Sequence, residues 1–407
     1  MKLIVLSIPI FFLLIGVELL VQWLGKTRLY RLNDAVANIS CGIAQQVSGV
    51  FFKTILFVGY LYLYENHRLV DDIAAGLGPA LTYSLLFIGV DFFYYWFHRY
   101  SHEISFIWGA HVVHHQSEEY NLSVALRQSA FQSFFSTIFY LPLAWIGFHP
   151  AAFVTINALQ TLYQFWIHTR AIGKLPAPIE YVFNTPSHHR VHHGRNPKYI
   201  DKNHGGTLII FDRMFGTFQA EEEEVVYGVT KPLNTWNPLW ANFDYYADLW
   251  QAVRETPGLG NKLRTLVNKP GWRPAAEGGP IPIPEVQPEA VRKYDPPITA
   301  GLSYYVLVQF VLVLSGTSLY LFADPGVDLR SGLAASLILA ALGSLGGLLD
   351  GRAWGTWLEG LRHLALPVLS LYLFPAWPVA WTLAGIGSLS LASLAWLWHV
   401  RPLGNAG

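Results

Sequence analysis

Three short histidine clusters carry the clearest chemical signal in this sequence, and together they use eight of its 15 histidines. Side chains three or four positions apart share a helix face, so each cluster can aim its imidazoles at one point. Imidazole binds iron, copper, zinc and nickel, and eight imidazoles exceed what one tetrahedral zinc takes. The spacing therefore favours two or more metal ions over one ion, a chance grouping or a pH-sensing patch. The clusters are His98-x3-His102, His111-x2-His114-His115 and His189-x2-His192-His193.

The composition indicates that these clusters belong to an integral membrane protein. Hydrophobic residues make up 52% of the 407 positions and charged residues only 13%, whereas a soluble domain has about 25% charged residues. The first apolar stretch is long enough to cross a bilayer and lacks the cleavage site of a secretory signal, so we expect it to be a retained helix. Nine apolar segments are predicted as spans: 3–24, 47–64, 79–97, 131–148, 151–167, 298–322, 332–349, 364–377 and 379–398.

Positively charged residues predict the orientation of these spans. Lys26, Arg28 and Arg31 follow the first span, whereas the next loop has Arg68 among three acidic residues. The loop with the excess of basic residues is expected in the cytoplasm. When the crossings are counted from there, all three histidine clusters lie at the cytoplasmic face, as a single shared site requires.

Residues outside the clusters add few alternatives to this site. The net charge of zero gives no indication of a nucleic-acid partner. Cys41 is the only cysteine, which excludes an internal disulfide and a thiolate-rich metal site. We expect a membrane-embedded catalytic region at 1–256, a linker rich in proline and glycine at 257–297, and a C-terminal transmembrane region at 298–407.

Three residues near the clusters are further candidates for the site. Asp91 lies two helical turns before His98, and an ionisable group at that depth in a membrane is costly, so we expect it to orient a ligand imidazole or to join helices. Glu103 follows His102 directly and is a candidate ligand, a hydrogen-bond acceptor or a solvated charge. His168 ends the fifth apolar segment at the level of the clusters, and is a candidate ninth ligand or an interfacial residue.

The expected chemistry depends on which metal these residues hold. Iron activates oxygen against an inert carbon of a lipid, whereas zinc is redox-inert and would activate water for hydrolysis. The scarcity of carboxylates in the clusters favours two irons. A zinc-dependent membrane hydrolase and a histidine-lined transporter stay open, although transport sites usually lie at mid-membrane. We therefore expect an all-α integral membrane protein, a helical bundle of about nine spans with a cytoplasmic histidine-rich di-iron cap.

The clusters and their flanks resemble a known superfamily. The three boxes are similar to those of the fatty acid hydroxylases and sterol desaturases, which are integral-membrane non-haem di-iron oxygenases. Within this superfamily the flanks resemble the alkylglycerol monooxygenases, and the similarity extends over about residues 33–248. The segments that carry this similarity are 91–99, 114–129, 184–196, 199–203 and 205–217.

This resemblance implies a function for the site. The eight cluster histidines would be ligands of two Fe ions, and Glu103 would be required for activity. Oxygen and a bilayer lipid would be substrates, with tetrahydrobiopterin or another electron donor, such as a redox protein, as reductant. Hydroxylation beside an ether oxygen would give a hemiacetal that releases a fatty aldehyde and glycerol. Hydroxylation or desaturation of sterols, carotenoids or acyl chains stays open, because Arg170 and His204 stand where the resemblance leads us to expect glutamate and tyrosine.

Overall fold

The protein is described here from a computed structural model. The structure describes residues 2–401, with the side chains of residues 5 and below and 53–56 left out. Within that range the chain is helical and has no strand, and two isolated bridges, Phe183 with Leu208 and Gly194 with Tyr227, pair single residues. The predicted all-α class is confirmed.

The described residues form α-helices joined by turns and, before α11 and α13, by long irregular segments. Their bounds are α1 Lys2–Gly25, α2 Leu32–His67, α3 Ile73–Leu77, α4 Pro79–Glu103, α5 Ser105–His115, α6 Gln132–Ile146, α7 Pro150–Trp166, α8 Ala177–Val182, α9 Pro186–His192, α10 Ile210–Phe215, α11 Asp244–Glu255, α12 Leu259–Val267, α13 Ala300–Phe322, α14 Leu329–Leu349, α15 Ala353–Leu373 and α16 Val379–Val400.

Six of the described helices are long and apolar enough to cross a membrane. The predicted number of nine is not confirmed, because three of the predicted segments fall on helices outside this set. Two of these, α6 and α7, have 15 and 17 residues, fewer than the 20 or so that a span needs. The third, α15, has 21 residues, but Glu359, Arg362 and His363 lower its hydropathy. The six segments are Leu6–Gly25, Leu32–Phe52, Pro79–Glu103, Ala300–Phe322, Leu329–Leu349 and Val379–Val400.

The turn between α6 and α7 follows from its residue types. Gly147 has a φ of 118°, and a Cβ atom there would lie 2.3 Å from the Val70 carbonyl oxygen, so no larger residue fits. His149 then caps α7, since its Nδ1 atom accepts a hydrogen bond from the Ala151 amide at 3.2 Å. Pro150 occupies the first turn, where its missing N–H costs nothing. The chain therefore turns between the predicted segments 131–148 and 151–167.

Main-chain proximity divides the described chain into two compact units. The first comprises residues up to Arg31, Phe52–Leu233 and Asn242–Arg292, and it contains all three histidine clusters. In this unit α4 packs against α5, α6 and α7. The aromatic core beside α4 includes Tyr60, which stacks on Phe153 at 4.6 Å and donates a hydrogen bond to the Phe148 carbonyl. The predicted limits at 256 and 297 stay predictions.

The second unit comprises Leu32–Phe51, Asn234–Ala241 and the chain from Lys293 onward. In it α14 packs against α13 and α15, and α16 against α13 and α15. Its core contains a polar network centred on Glu359 of α15, which is fully buried. The Glu359 carboxylate accepts hydrogen bonds from Tyr305 at 2.9 Å, Ser344 at 2.5 Å and Arg362 at 2.5 Å. Three helices are thus joined through one buried carboxylate.

Removing the carboxylate of Glu359 is expected to destabilise the second unit. Glu359→Ala leaves the buried Arg362 guanidinium without its partner, which costs about 3–5 kcal/mol. Thermal unfolding of the full-length protein in detergent measures the loss. Glu359→Leu combined with Arg362→Leu should recover part of it because no buried charge is then left unpaired. Equal stability of Glu359→Ala and the unmodified protein would contradict this role.

Candidate metal centre

The structure brings the predicted histidines together in two separate groups. Within each group every residue offers one ring nitrogen, and these atoms all lie within 4.8 Å of one another. All nine side chains are buried. The first group has five members, His98, His102, His111, His115 and His192, and the second has four, His114, His168, His189 and His193.

Helix geometry explains how three clusters divide into two groups. Residues four positions apart lie on one face of a helix, and each such pair stays within one group. His98 and His102 come from the end of α4, and His111 and His115 come from α5. The cluster on α5 has three histidines, and its remaining member, His114, lies on another face of the helix. His114 therefore joins the second group, while His111 and His115 join the first.

The α9 segment shows the same division with the groups exchanged. His189 and His193, four positions apart, belong to the second group, and His192 belongs to the first. Each of α5 and α9 therefore serves both groups, which places the two candidate ion positions side by side. His168, which follows α7, completes the second group as the candidate ninth ligand.

Ring nitrogens within a group approach one another more closely than unbonded rings normally do. The Nε2 atom of His111 lies 3.0 Å from that of His98 and 3.2 Å from that of His115. In the second group the Nε2 atoms of His168 and His189 are 3.0 Å apart. Ligands at about 2.0–2.1 Å from one ion are separated by about 3 Å. The spacing therefore fits nitrogens that converge on a shared cation.

The outer nitrogens of the rings are held by acceptors from the surrounding chain. A Nδ1–H that donates to an oxygen leaves Nε2 unprotonated and aimed at the ion, and it fixes the orientation of the ring. Five of the nine histidines have such a contact. The acceptors are the His204 carbonyl for His98 (2.8 Å), Gln132 Oε1 for His111 (3.1 Å), the Arg127 carbonyl for His114 (2.9 Å), the Gln164 carbonyl for His168 (2.7 Å) and the Lys202 carbonyl for His192 (2.9 Å).

Burial keeps these imidazoles neutral. It lowers the pKa of His111 and that of His168 to about 4, and the pKa of His192 to about 3. Burial also holds the pKa of His189 and of His193 well below 6.5, and the neighbouring imidazoles lower both further. A metal binds only the unprotonated nitrogen. The site is thus ready to take a cation at neutral pH without first losing a proton.

The metal-free protein is expected to lose stability as the pH falls from about 6.5 towards 4. In this window the unfolded chain takes up protons that the buried imidazoles do not, so the free energy of unfolding decreases. For His168 alone the decrease between pH 6.5 and pH 5 is about 2 kcal/mol. Thermal unfolding of chelator-treated protein measures it, and His168→Gln should show a shallower dependence. A melting temperature that rises towards pH 5 would contradict the neutral state.

Asp91 does not approach the histidine rings, but holds the loop that orients one of them. Its carboxylate is buried and accepts hydrogen bonds from the amides of Thr207 and Leu208 at 2.7 and 2.8 Å, and from Gln160 at 2.6 Å. The loop that it fixes includes His204, whose carbonyl is the acceptor for His98. Asp91 therefore holds the loop that carries the acceptor for the His98 ring.

Asp212 is a second anchor of the same loop, and sequence analysis did not single it out. Its carboxylate accepts from the amides of His204 and Gly205, both at 2.7 Å, and from the Thr217 hydroxyl at 2.7 Å. Burial raises the pKa of Asp212 to about 6. The only signal in the sequence is its place in the segment 205–217. An isolated aspartate does not reveal which backbone amides will donate hydrogen bonds to it.

Glu103 lies at the edge of the site, and its recorded contacts are with basic side chains. Its carboxylate is 3.3 Å from Arg99 and 3.9 Å from Lys269. The side chain is 23% exposed, whereas the histidines of the two groups are buried. The structure thus places Glu103 in an ion-pair cluster beside His102, and its predicted role in activity stays a prediction.

Two further histidines near the third cluster have different surroundings. His188 pairs with Glu180 at 2.8 Å, away from both groups. His204 is fully buried, and its ring centre lies 5.1 Å from that of His102 and 5.5 Å from that of His98. Neither ring nitrogen of His204 has a hydrogen-bond partner. His204 therefore lines the first group without belonging to it.

Glu18 is an acidic residue within the first predicted span, and its hydrogen bonds explain how the span tolerates it. It is 3% exposed, and its carboxylate accepts hydrogen bonds from the Leu122 amide at 2.8 Å and from the hydroxyls of Tyr30 and Thr169. Thr169 follows His168 directly. The carboxylate in α1 thus holds the chain beside a histidine of the second group.

Replacing Asp212 is expected to weaken metal binding, although Asp212 is not itself one of the candidate ligands. Asp212→Ala leaves the amides of His204 and Gly205 without an acceptor and loosens the loop that orients His98, so the affinity for a divalent metal should fall about 10–100-fold. Competition for Co²⁺ or Fe²⁺ with a chelator of known affinity measures this change. Asp248→Ala, which removes an exposed ion pair with Lys231, is the control. Unchanged affinity in Asp212→Ala would exclude the anchoring role.

Comparison with known proteins assigns the site to a family. The family model of fatty acid hydroxylases matches residues 83–217, which include all nine histidines of the two groups. The alkylglycerol monooxygenase of Xenopus tropicalis is 40% identical over 89% of this chain and 80% of its own length. That of Homo sapiens is 43% identical over 90% and 81%, and that of Danio rerio 40% over 89% and 80%.

The chain belongs to the alkylglycerol monooxygenase family, within the fatty acid hydroxylase superfamily. The predicted resemblance is confirmed. The protein is therefore an integral membrane monooxygenase that hydroxylates lipids, and membership favours this function over the hydrolase and transporter alternatives. No solved structure matches the chain.

Proposed function

We propose that the two histidine groups hold two iron ions, with five imidazoles at one ion and four at the other. Support comes from the convergence of nine buried ring nitrogens in two sets, each within 4.8 Å. The groups contain no carboxylate, whereas hydrolytic dinuclear sites commonly have bridging carboxylates, so the donor set favours iron over zinc. Bound iron would supply the activation of O2 that a monooxygenase needs.

The proposed substrate is a glycerol lipid with an ether-linked alkyl chain. Support comes from the name of the relatives, which are about 40% identical to this chain over most of its length. One oxygen atom of O2 would enter the C–H bond beside the ether oxygen, and the other would leave as water with two electrons and two protons from the donor. The resulting hemiacetal would break into a fatty aldehyde and glycerol. A sterol, acyl or carotenoid hydroxylation within the superfamily is the second candidate.

The electron donor is proposed to be tetrahydrobiopterin or another two-electron reductant, such as a redox protein.

The residues of this chain would orient the ligands and exclude water. Carbonyl acceptors around the groups hold the outer nitrogens, and the burial of all nine rings would keep bulk water from bound ions. Asp91 is proposed as a positioning residue that acts through the 204–208 loop, and Glu103 as one that acts through its pairs with Arg99 and Lys269.

The site is proposed to lie at the cytoplasmic face of the membrane. His98 and His102 occupy the last two turns of α4, the third of the candidate spans. Lys26, Arg28 and Arg31 follow the first span, which favours a cytoplasmic location for that loop. Two further crossings lead to the end of α4 and return the chain to the same side. Whether α6, α7 and α15 also span does not change this result for α4.

Metal content and oxygen dependence test this function together. Purified protein should contain about two irons per chain and convert an alkylglycerol under air but not under argon. His111→Ala and His192→Ala each remove a ligand of the first group, so both should lower the iron content and abolish turnover. His399→Ala, an exposed histidine of α16, is the matched control and should keep both. Turnover that persists under argon would overturn the proposal, as would full activity in either ligand variant.

A further inference from the structure

Helices α11 and α12 expose apolar side chains in a pattern that their own packing does not explain. On α12, Leu259, Leu263 and Val267 recur every fourth position and are 74%, 55% and 59% exposed. Phe243, which directly precedes α11, is 49% exposed, and Trp250, seven positions later within α11, is 64% exposed. Residues at these spacings share one helix face. Each helix therefore presents an apolar stripe outward.

The opposite faces of both helices are the ones that pack against the protein. Leu249 of α11 and Thr265 of α12 are buried, and they lie about 100° from Trp250 and about 160° from Leu263 around their helices. The Lys262 ammonium donates to the carbonyls of Val253 and Arg254 at 2.7 and 2.8 Å, which joins the start of α12 to the end of α11. The two helices thus form a fixed pair whose apolar faces remain uncovered.

This helix pair is attached where α4 ends. The Asn268 carbonyl, just after α12, accepts two hydrogen bonds from Ser105, from its amide and its hydroxyl, both at 2.9 Å. Ser105 is the second residue after α4, a candidate membrane span. The Tyr246 hydroxyl of α11 donates to the Phe106 carbonyl at 3.1 Å. Both helices are therefore held at the level where a spanning helix leaves the hydrocarbon.

The Tyr246 contact depends on a glycine of α5. A Cβ atom at Gly109 would lie 2.6 Å from the Tyr246 ring. The absence of a side chain there lets α11 approach α5, the helix that carries His111 and His115. The attachment of the pair is therefore close to the metal centre as well as to the end of α4.

The charges beside the stripes suit a lipid surface. Arg264 is exposed on α12, which has no acidic residue, and Arg254 is exposed near the end of α11. Lys262 and Lys269 are already held by the α11 carbonyls and by Asp201 and Glu103. Basic residues next to an exposed apolar stripe are typical of helices that lie in the headgroup region of a bilayer, where lipid phosphates meet the guanidinium groups. The helix pair is attached where the spanning helix α4 ends, as contact with a lipid surface requires. Binding of a protein partner would not require that location.

We propose that α11 and α12 lie in the membrane surface as an interfacial helix pair, with Phe243, Trp250, Leu259, Leu263 and Val267 inserted between lipid headgroups and acyl chains. The pair would extend the protein's contact with lipid beyond its spanning helices, on the side of α5 that adjoins the metal centre. This inference does not depend on the identity of the lipid that is hydroxylated.

Depth measurements on the full-length protein in nanodiscs of phosphatidylcholine and phosphatidylglycerol test the proposal. Cys41 is the only cysteine and is fully buried, so a single added thiol can be labelled with an environment-sensitive fluorophore. Leu263→Cys and Val267→Cys report on the stripe. Ala252→Cys and Glu255→Cys are the controls, because these exposed positions lie about 160° and 140° around α11 from Trp250. Quenching by lipids that carry a nitroxide near the headgroup gives the depth.

The stripe labels should be quenched at least threefold more strongly than the control labels, and their emission should shift to the blue. Equal quenching at all four positions would overturn the proposal. Blue-shifted stripe labels that lipid nitroxides do not quench would overturn it as well, since a second copy of the chain or another protein would then cover the stripes. If a cysteine at 263 impairs folding, Trp250→Cys provides the same comparison on α11. None of these outcomes depends on turnover, so a failed substrate assignment is distinguishable from a failed interfacial helix pair.

Discussion

The convergence of nine neutral imidazoles in a buried space is the constraint on which the rest of the structure depends. Such rings are useful as ligands only if each one is unprotonated at the nitrogen that faces the ion and held in one orientation. Burial provides the first condition, because it lowers the pKa of residues such as His168 and His192. Backbone carbonyls provide the second, by accepting from the outer nitrogens.

Much of the surrounding chain positions those carbonyls. The 202–208 loop contributes two of them, and it is itself held by buried carboxylates at Asp91 and Asp212. Neither carboxylate contacts a ligand ring, yet both hold the loop amides in place. A membrane protein can retain such acidic residues because every hydrogen bond that they accept offsets part of the cost of burial. The second unit uses Glu359 in a comparable way to join helices.

Several features could be predicted because they depend on local periodicity. The clusters lie at helix ends, and their spacings of three and four place the rings on shared faces, so the histidines that the structure brings together, including His168, could be singled out from the sequence. The number of spans was harder to predict, since α6 and α7 are short and α15 carries Glu359 and Arg362. A count of apolar residues does not reveal whether neighbouring helices satisfy the polar groups of such a segment. Asp212 was missed because its role exists only through amides that the fold brings to it.

The sequence by itself determined the helical class, the apolar spans and which histidines are equipped to bind metal, because each of these is set by residues within a few positions of one another. Only the tertiary structure decided how the nine rings divide into groups of five and four, since α5 and α9 each serve both groups. It also decided which carboxylates hold the loop behind His98, and which faces of α11 and α12 stay uncovered. These features arise from contacts between distant segments, and no local pattern encodes the partner of a side chain that lies a hundred residues away.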